Sequence, residues 1–140
     1  IGAAMLFSKE VLKVVGLMSE YFFLYYEDMD WGIRVRNAGY KIGYVHNAKV
    51  YHKDSVTTGQ NSPNFTYYNN RGRLIYMRRN IKFPRVILST LYLYAFALPK
   101  NFITFLLKKE IKNAVALFKA YWWYIFHIFD KNIKDNPKID

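Results

Sequence analysis

At 140 residues, with 52 % apolar and 19 % aromatic side chains, the chain suits one domain or part of a larger one and is too apolar for a disordered segment. It has no cysteine, which excludes a disulfide framework and thiolate metal sites and fits a reducing compartment. The formal charge of +11 steers anionic partners toward it, and because much of that charge falls in the second half among Tyr, Trp, Phe and Leu, the balance leans to lipid.

Residues 1–7, IGAAMLF, are small and apolar and predict a buried strand already under way, so the chain is expected to be a segment of something longer. Ser8 is expected to cap a short helix from Lys9 to Val15, which Gly16 closes in the left-handed position. A second helix starts within Glu27 to Asp30, where acids favour the positive end of the helix dipole, and runs to Ala38 with Gly39 as its stop. Lys41 to Val45 and Ala48 to His52 predict two short strands around a tight turn at His46-Asn47. Lys53 to Asn61 is polar and predicts a loop. Ser62-Pro63 starts a helix that continues through YYNNRGRLIYMRR to about Asn80; Gly72 inside it implies close packing or a kink. Pro84 opens another helix and Pro99 is expected to end it. The last long helix, from about Phe102 or Lys108 to Phe129, aligns Ile111, Val115, Phe118, Trp122, Ile125 and Phe129 on one stripe. The tail from about 131 is expected to be disordered.

FFLYYEDMDW, Phe22 to Trp31, places Glu27, Asp28 and Asp30 directly after an apolar and aromatic run. Burying an ionised carboxylate there costs several kcal/mol unless a cation, a metal or hydrogen-bond donors compensate, so the cluster belongs at an edge or a cleft. Crowded carboxylates raise one another's pKa values, which is what a general base needs. Two readings stay open from the residues alone: helix capping with an Asp30–Arg34 pair at i, i+4, or catalysis and metal binding.

The first 52 residues carry a small-residue strand with MLF, a helix ending in VGL, then FF-x-YYED-x-D, R-x-R-x-AGY, and a closing VYH. In this pattern the chain resembles the C-terminal part of the catalytic domain of family 2 glycosyltransferases, particularly the rhamnosyltransferase-like bacterial members. The resemblance implies an α/β, Rossmann-like GT-A fold in residues 1–60, followed by a helical, membrane-proximal extension over 61–140. It also implies inverting transfer of a sugar from a nucleotide-sugar donor to a hydroxyl of a glycan or lipid-linked acceptor in cell-surface polysaccharide synthesis. On that reading Asp28 is the general base and Glu27 tunes or positions it. Asp30, Tyr26 and Arg71 contribute to substrate binding, and 53–60 is a loop that closes over the donor. A divalent metal, Mg or Mn, is expected in the full-length enzyme, with His52 matching a ligand of that family. No nucleotide-binding strand or metal-holding Asp-x-Asp motif of that family matches, since Asp28-Met29-Asp30 has the letters but belongs to the later element, so this segment alone is expected to be inactive.

Arg78 and Arg79 are expected as a basic collar beside a membrane, with His46 and His127 as background. Val86 to Leu98 is too short to span a bilayer if Pro99 stops it, whereas the lysine- and tryptophan-rich helix after it suits a bilayer surface. The expected placement is cytoplasmic and peripheral, on the inner face of the cell membrane. A homo-oligomer contact is the competing use of the same surface, and a membrane-surface or oligomerisation module without chemistry is the competing function. Nucleic acid is not an expected partner, because no DNA- or RNA-binding motif is present.

Overall fold

The computed structural model describes residues 2, 4–52, 59 and 61–134. Among the described residues six α-helices follow one another: α1 (Lys9–Val15), α2 (Glu27–Asn37), α3 (Pro63–Asn80), α4 (Arg85–Tyr92), α5 (Leu98–Leu107) and α6 (Ile111–His127). A π-helical turn, Leu93–Ala97, joins α4 to α5, and 3-10 turns occupy Glu20–Phe22 and Lys131–Lys134.

The expected α/β, Rossmann-like GT-A class is corrected: the described residues contain no strand or sheet. The described part of 1–7, 41–45 and 48–52 is irregular chain, and the side chains of Leu6, Tyr44 and Tyr51 lie almost wholly in solvent. A strand exists only by exchanging backbone hydrogen bonds with a neighbour, and none of these segments meets one among the described residues. The turn at His46-Asn47 is nevertheless formed, with the Ala48 amide donating to the Val45 carbonyl at 3.2 Å. The expected loop 53–60 lies outside the described residues apart from Gly59, as does the tail 135–140.

Ser8 makes no side-chain capping bond to α1, whereas the start of α3 follows local chemistry. Ser62 Oγ accepts from the Phe65 amide at 3.1 Å and Pro63 occupies the first helical position of α3. Gly16 and Gly39 take positive φ values, 77° and 88°, past the ends of α1 and α2.

The main core lies between α3 and α6, where Leu74 and Met77 meet Leu117, Tyr121 and Tyr124, with Leu93 of the π turn closing it. Ala114, Ala116 and Ala120 of α6 are buried as well. The stripe Ile111, Val115, Phe118, Trp122, Ile125 and Phe129 therefore faces outward. A smaller cluster of Val11, Trp31 and Val35 joins α1 to α2. A third, Phe22, Ile75 and Ile133, ties the early chain to α3 and to the C-terminal turn, so packing crosses the position near 60 where the sequence suggested a division. The expected disorder from 131 does not extend to Lys131–Lys134, which forms a turn with Ile133 buried.

Pro99 does not end its helix. A proline ring collides with the carbonyl four residues earlier, and the wider π turn immediately before it relieves that clash. Arg85–Leu107 is consequently one helix of 23 residues, long and apolar enough to cross a membrane, with only 6 % of its most apolar stretch buried.

Candidate functional site

The site is built where the chain enters α2. Phe22 is fully buried beneath α3, and the next residues turn sharply: Phe23, Tyr25 and Tyr26 have φ values of 64°, 65° and 72°. Three non-glycine residues with positive φ in four positions are strained, each at a cost of about 1–3 kcal/mol.

One face of α3 holds them there. Phe65, Tyr68, Gly72 and Tyr76 recur at three- and four-residue spacing, which places them in a row. Tyr25 meets Phe65 edge-on with ring centres 5.2 Å apart, Phe23 lies 4.8 Å from Tyr68, and Tyr26 lies 5.6 Å from Tyr76. Gly72 admits the Tyr25 carbonyl; a Cβ there would lie 2.7 Å from that oxygen and 3.2 Å from Tyr26 Cδ2. The close packing expected at Gly72 is thus the contact that seats the YYED segment.

The three acids take different places. Asp30 is 1 % exposed and its carboxylate is fully engaged. Arg79 grips it bidentately, with Nε donating to Oδ1 at 2.7 Å and Nη2 to Oδ2 at 3.0 Å. Asn80 donates to Oδ1 at 2.9 Å and Arg34 Nε to Oδ2 at 3.2 Å. Arg34 also donates to the carbonyls of Val15 and Leu17, so this ion cluster ties α1, α2 and α3 together. The Asp30–Arg34 pair expected from the sequence is present, and no free carboxylate edge remains on Asp30 for a substrate. Arg79, placed in a membrane collar by the sequence, instead points inward and also donates to the Ile133 carbonyl. That acid needed cations, as its apolar setting foretold; Arg34 was legible at four residues, but a distance of 49 residues hid Arg79.

Glu27 and Asp28 are half-buried at the N-terminus of α2. Asp28 Oδ1 accepts from the Met29 amide at 2.8 Å, and its Oδ2 lies beside Gly2. Glu27 Oε2 is buried and has no hydrogen-bond partner among the described residues. Burial, followed by the charge of Asp28, holds the Glu27 carboxyl above the ordinary carboxylate range, partly opposed by a backbone amide.

The remaining expected site residues are Tyr26, Arg71 and His52. Arg71 stacks over Trp123 at 4.2 Å and donates to the Tyr21 carbonyl at 3.0 Å. Tyr26 is the residue before α2 and packs on Tyr76. His52 and His46 are exposed, and His127 stacks on Trp123 with ring centres 4.1 Å apart. Among the described residues no three His, Asp or Glu side chains converge on a point that would hold a metal ion. His52 offers one ligand, which does not make a metal site by itself.

Over 88 residues the chain is 32 % identical to the dTDP-rhamnosyl transferase RfbF of Shigella flexneri, a match covering 57 % of this chain and 30 % of that protein. The matched part is less than a third of the relative's length. No family model matches, and no solved structure matches. The similarity is distant and partial, and it is to a rhamnosyltransferase-like glycosyltransferase.

Proposed function

We propose that this chain is a segment of a glycosyltransferase in which Glu27 and Asp28 face the acceptor hydroxyl. The observation that carries the reading is the similarity to the Shigella rhamnosyltransferase, and the geometry around Glu27 and Asp28 supports it. Strain and an unpartnered buried acceptor atom coincide on one segment, which is where functional groups are concentrated.

In the proposed reaction a sugar, by analogy with the relative a rhamnose carried on dTDP, passes to an alcohol with inversion. The acceptor oxygen attacks the anomeric carbon as the bond to the diphosphate breaks, and the hydroxyl proton leaves to a carboxylate. Asp28 is the proposed base because among the described residues its Oδ2 has no amide donor, whereas Oδ1 is used by Met29. Glu27 Oε2 is the second acceptor, available to orient the hydroxyl. Asp30 and its arginines hold the turn of α2 on which both stand. Tyr26 and Arg71 are proposed to act on substrate only through that scaffold, since both are engaged with neighbouring aromatic rings. The described residues supply no metal site, and no step is assigned to one.

The test is a sugar-transfer assay on the intact gene product that carries this chain, with a dTDP-linked rhamnose donor. Asp28→Asn is expected to reduce turnover by about 10²–10⁴-fold, the usual contribution of a general base. Unchanged turnover with an unchanged circular-dichroism spectrum removes Asp28 from the base role.

A further inference from the structure

The outward face of Arg85–Leu107 is a continuous apolar surface. Leu88, Tyr92, Phe96, Ile103 and Leu107 follow one another along it and are all exposed, Phe96 at 66 % and Leu107 at 80 %. Beside it α6 exposes Val115, Phe118, Trp122, Ile125 and Phe126. This apolar area exceeds what scattered exposed residues contribute to an ordinary surface.

An open cleft of about 760 Å³ adjoins the N-terminal end of this face. Arg78 and Lys82, four residues apart, line one wall; Val86, Ile87 and Leu91 of α4 line another, with Ile128 and Phe129 opposite. Ile87 and Leu91 belong to both the cleft and the exposed face, so the two are continuous. Neither Arg78 nor Lys82 pairs with a carboxylate among the described residues. The cleft therefore joins cationic groups to hydrocarbon.

Charge decides the occupant. From Lys82 to Lys109 the ionised side chains are Lys82, Arg85, Lys100, Lys108 and Lys109, with no acid, and α6 adds Lys112 and Lys119, again with no acid. A second copy of this chain would bring cations against cations. An anionic bilayer neutralises them while covering the apolar face. A helix of 23 residues is long enough to span, yet Lys100 on it and Lys119 beside it would then sit at bilayer depth. Lying along the surface, both lysines extend to the headgroups.

We propose that Arg85–Leu107 and the outward face of α6 lie in the headgroup layer of an anionic membrane, and that the cleft at Arg78 and Lys82 takes the phosphate of one of its lipids. This stands apart from the transferase reading, because it needs no turnover and is tested without a sugar donor.

The experiment is flotation of the chain with vesicles of phosphatidylcholine alone and of equimolar phosphatidylcholine and phosphatidylglycerol. The expected result is selective flotation with the anionic vesicles. Arg78→Gln with Lys82→Gln should weaken that binding roughly thirtyfold, the effect of two basic residues at an anionic surface. Lys9→Gln with Lys13→Gln on α1 removes the same charge and should weaken it much less. Equal losses in the two pairs overturn the cleft as a headgroup site. Leu88→Ser with Phe96→Ser should reduce flotation with both vesicle types; no change overturns the apolar face. Resistance to alkaline carbonate extraction means a spanning helix and overturns the surface arrangement. A dimer in light scattering without flotation assigns the face to self-association and overturns the proposal. Should Arg78→Gln lose its helical circular dichroism, Lys82→Gln alone, at an exposed position, carries the test with a roughly fivefold expected loss.

Discussion

Glu27 and Asp30 stand three residues apart at the start of α2 and meet opposite electrostatic environments. Asp30 is buried with two guanidinium groups and an amide around it, whereas Glu27 is half-buried with Oε2 unpartnered among the described residues. The folded chain holds the Glu27 carboxyl above its ordinary range, so the native state binds this proton more tightly than the unfolded state does. Stability linked to Glu27 is therefore greatest below the ordinary carboxylate value and falls as pH rises through the raised folded value, then levels off. Glu27→Gln should flatten that fall. At neutral pH it should stabilise the chain by on the order of 1 kcal/mol, because a neutral amide is cheaper to bury than an unpartnered carboxylate. Urea denaturation at several pH values measures this. A variant that is more stable and yet slower in sugar transfer would mark Glu27 as a functional group whose burial cost serves the site.

At the scale of elements, α3 matters most, since a single face of it carries the aromatic seats, the glycine and the Arg79–Asn80 clamp for the YYED segment. Gly72→Ala separates two effects of opposite sign. Helix propensity favours alanine by about 1 kcal/mol, while the added methyl would lie 2.7 Å from a backbone carbonyl that has no rotamer to change. Overpacking should win, with a net loss of roughly 1–3 kcal/mol in thermal or urea unfolding. A stabilised variant would show that Tyr25 and Tyr26 are not seated on α3 as described. The same helix shows what local patterns miss. Its sequence, YYNNRGRLIYMRRN, suggested a basic collar at Arg78 and Arg79, yet Leu74 and Ile75 are almost fully buried and Arg79 points into an ion cluster. Arginine is ambiguous by composition, and only the position of Asp30 resolves it.

For the molecule as a whole, the C-terminal turn acts as a clasp. Ile133 is 1 % exposed against Phe22 and Ile75, Arg79 donates to its carbonyl, and Tyr21 donates to Asp130 at 2.8 Å. Ile133→Ala should cost about 2–4 kcal/mol by opening a cavity beneath Phe22. Because Phe22 anchors the strained turn, sugar transfer should fall as well, measurable in the same assay as Asp28→Asn. Full stability in this variant would show that the turn does not close the core. The clasp also joins Phe22 of the early chain to Ile75 and Ile133 in one apolar cluster.

The sequence by itself determined what depends on neighbours within a few residues. The start of α3 at Ser62-Pro63, the stops at Gly16 and Gly39, the Asp30–Arg34 pair and the need of a buried acid for a cation all follow from local geometry and desolvation. Only the tertiary structure decided which of two apolar faces of α6 turns inward, that Arg79 is the missing cation, that Pro99 is passed by a π turn, and that the expected strands are irregular chain. Each of these depends on a partner remote in sequence or on competition between alternative packings. Pairing across distance is settled by which contacts the folded chain can satisfy together, and no window of neighbouring residues contains that information.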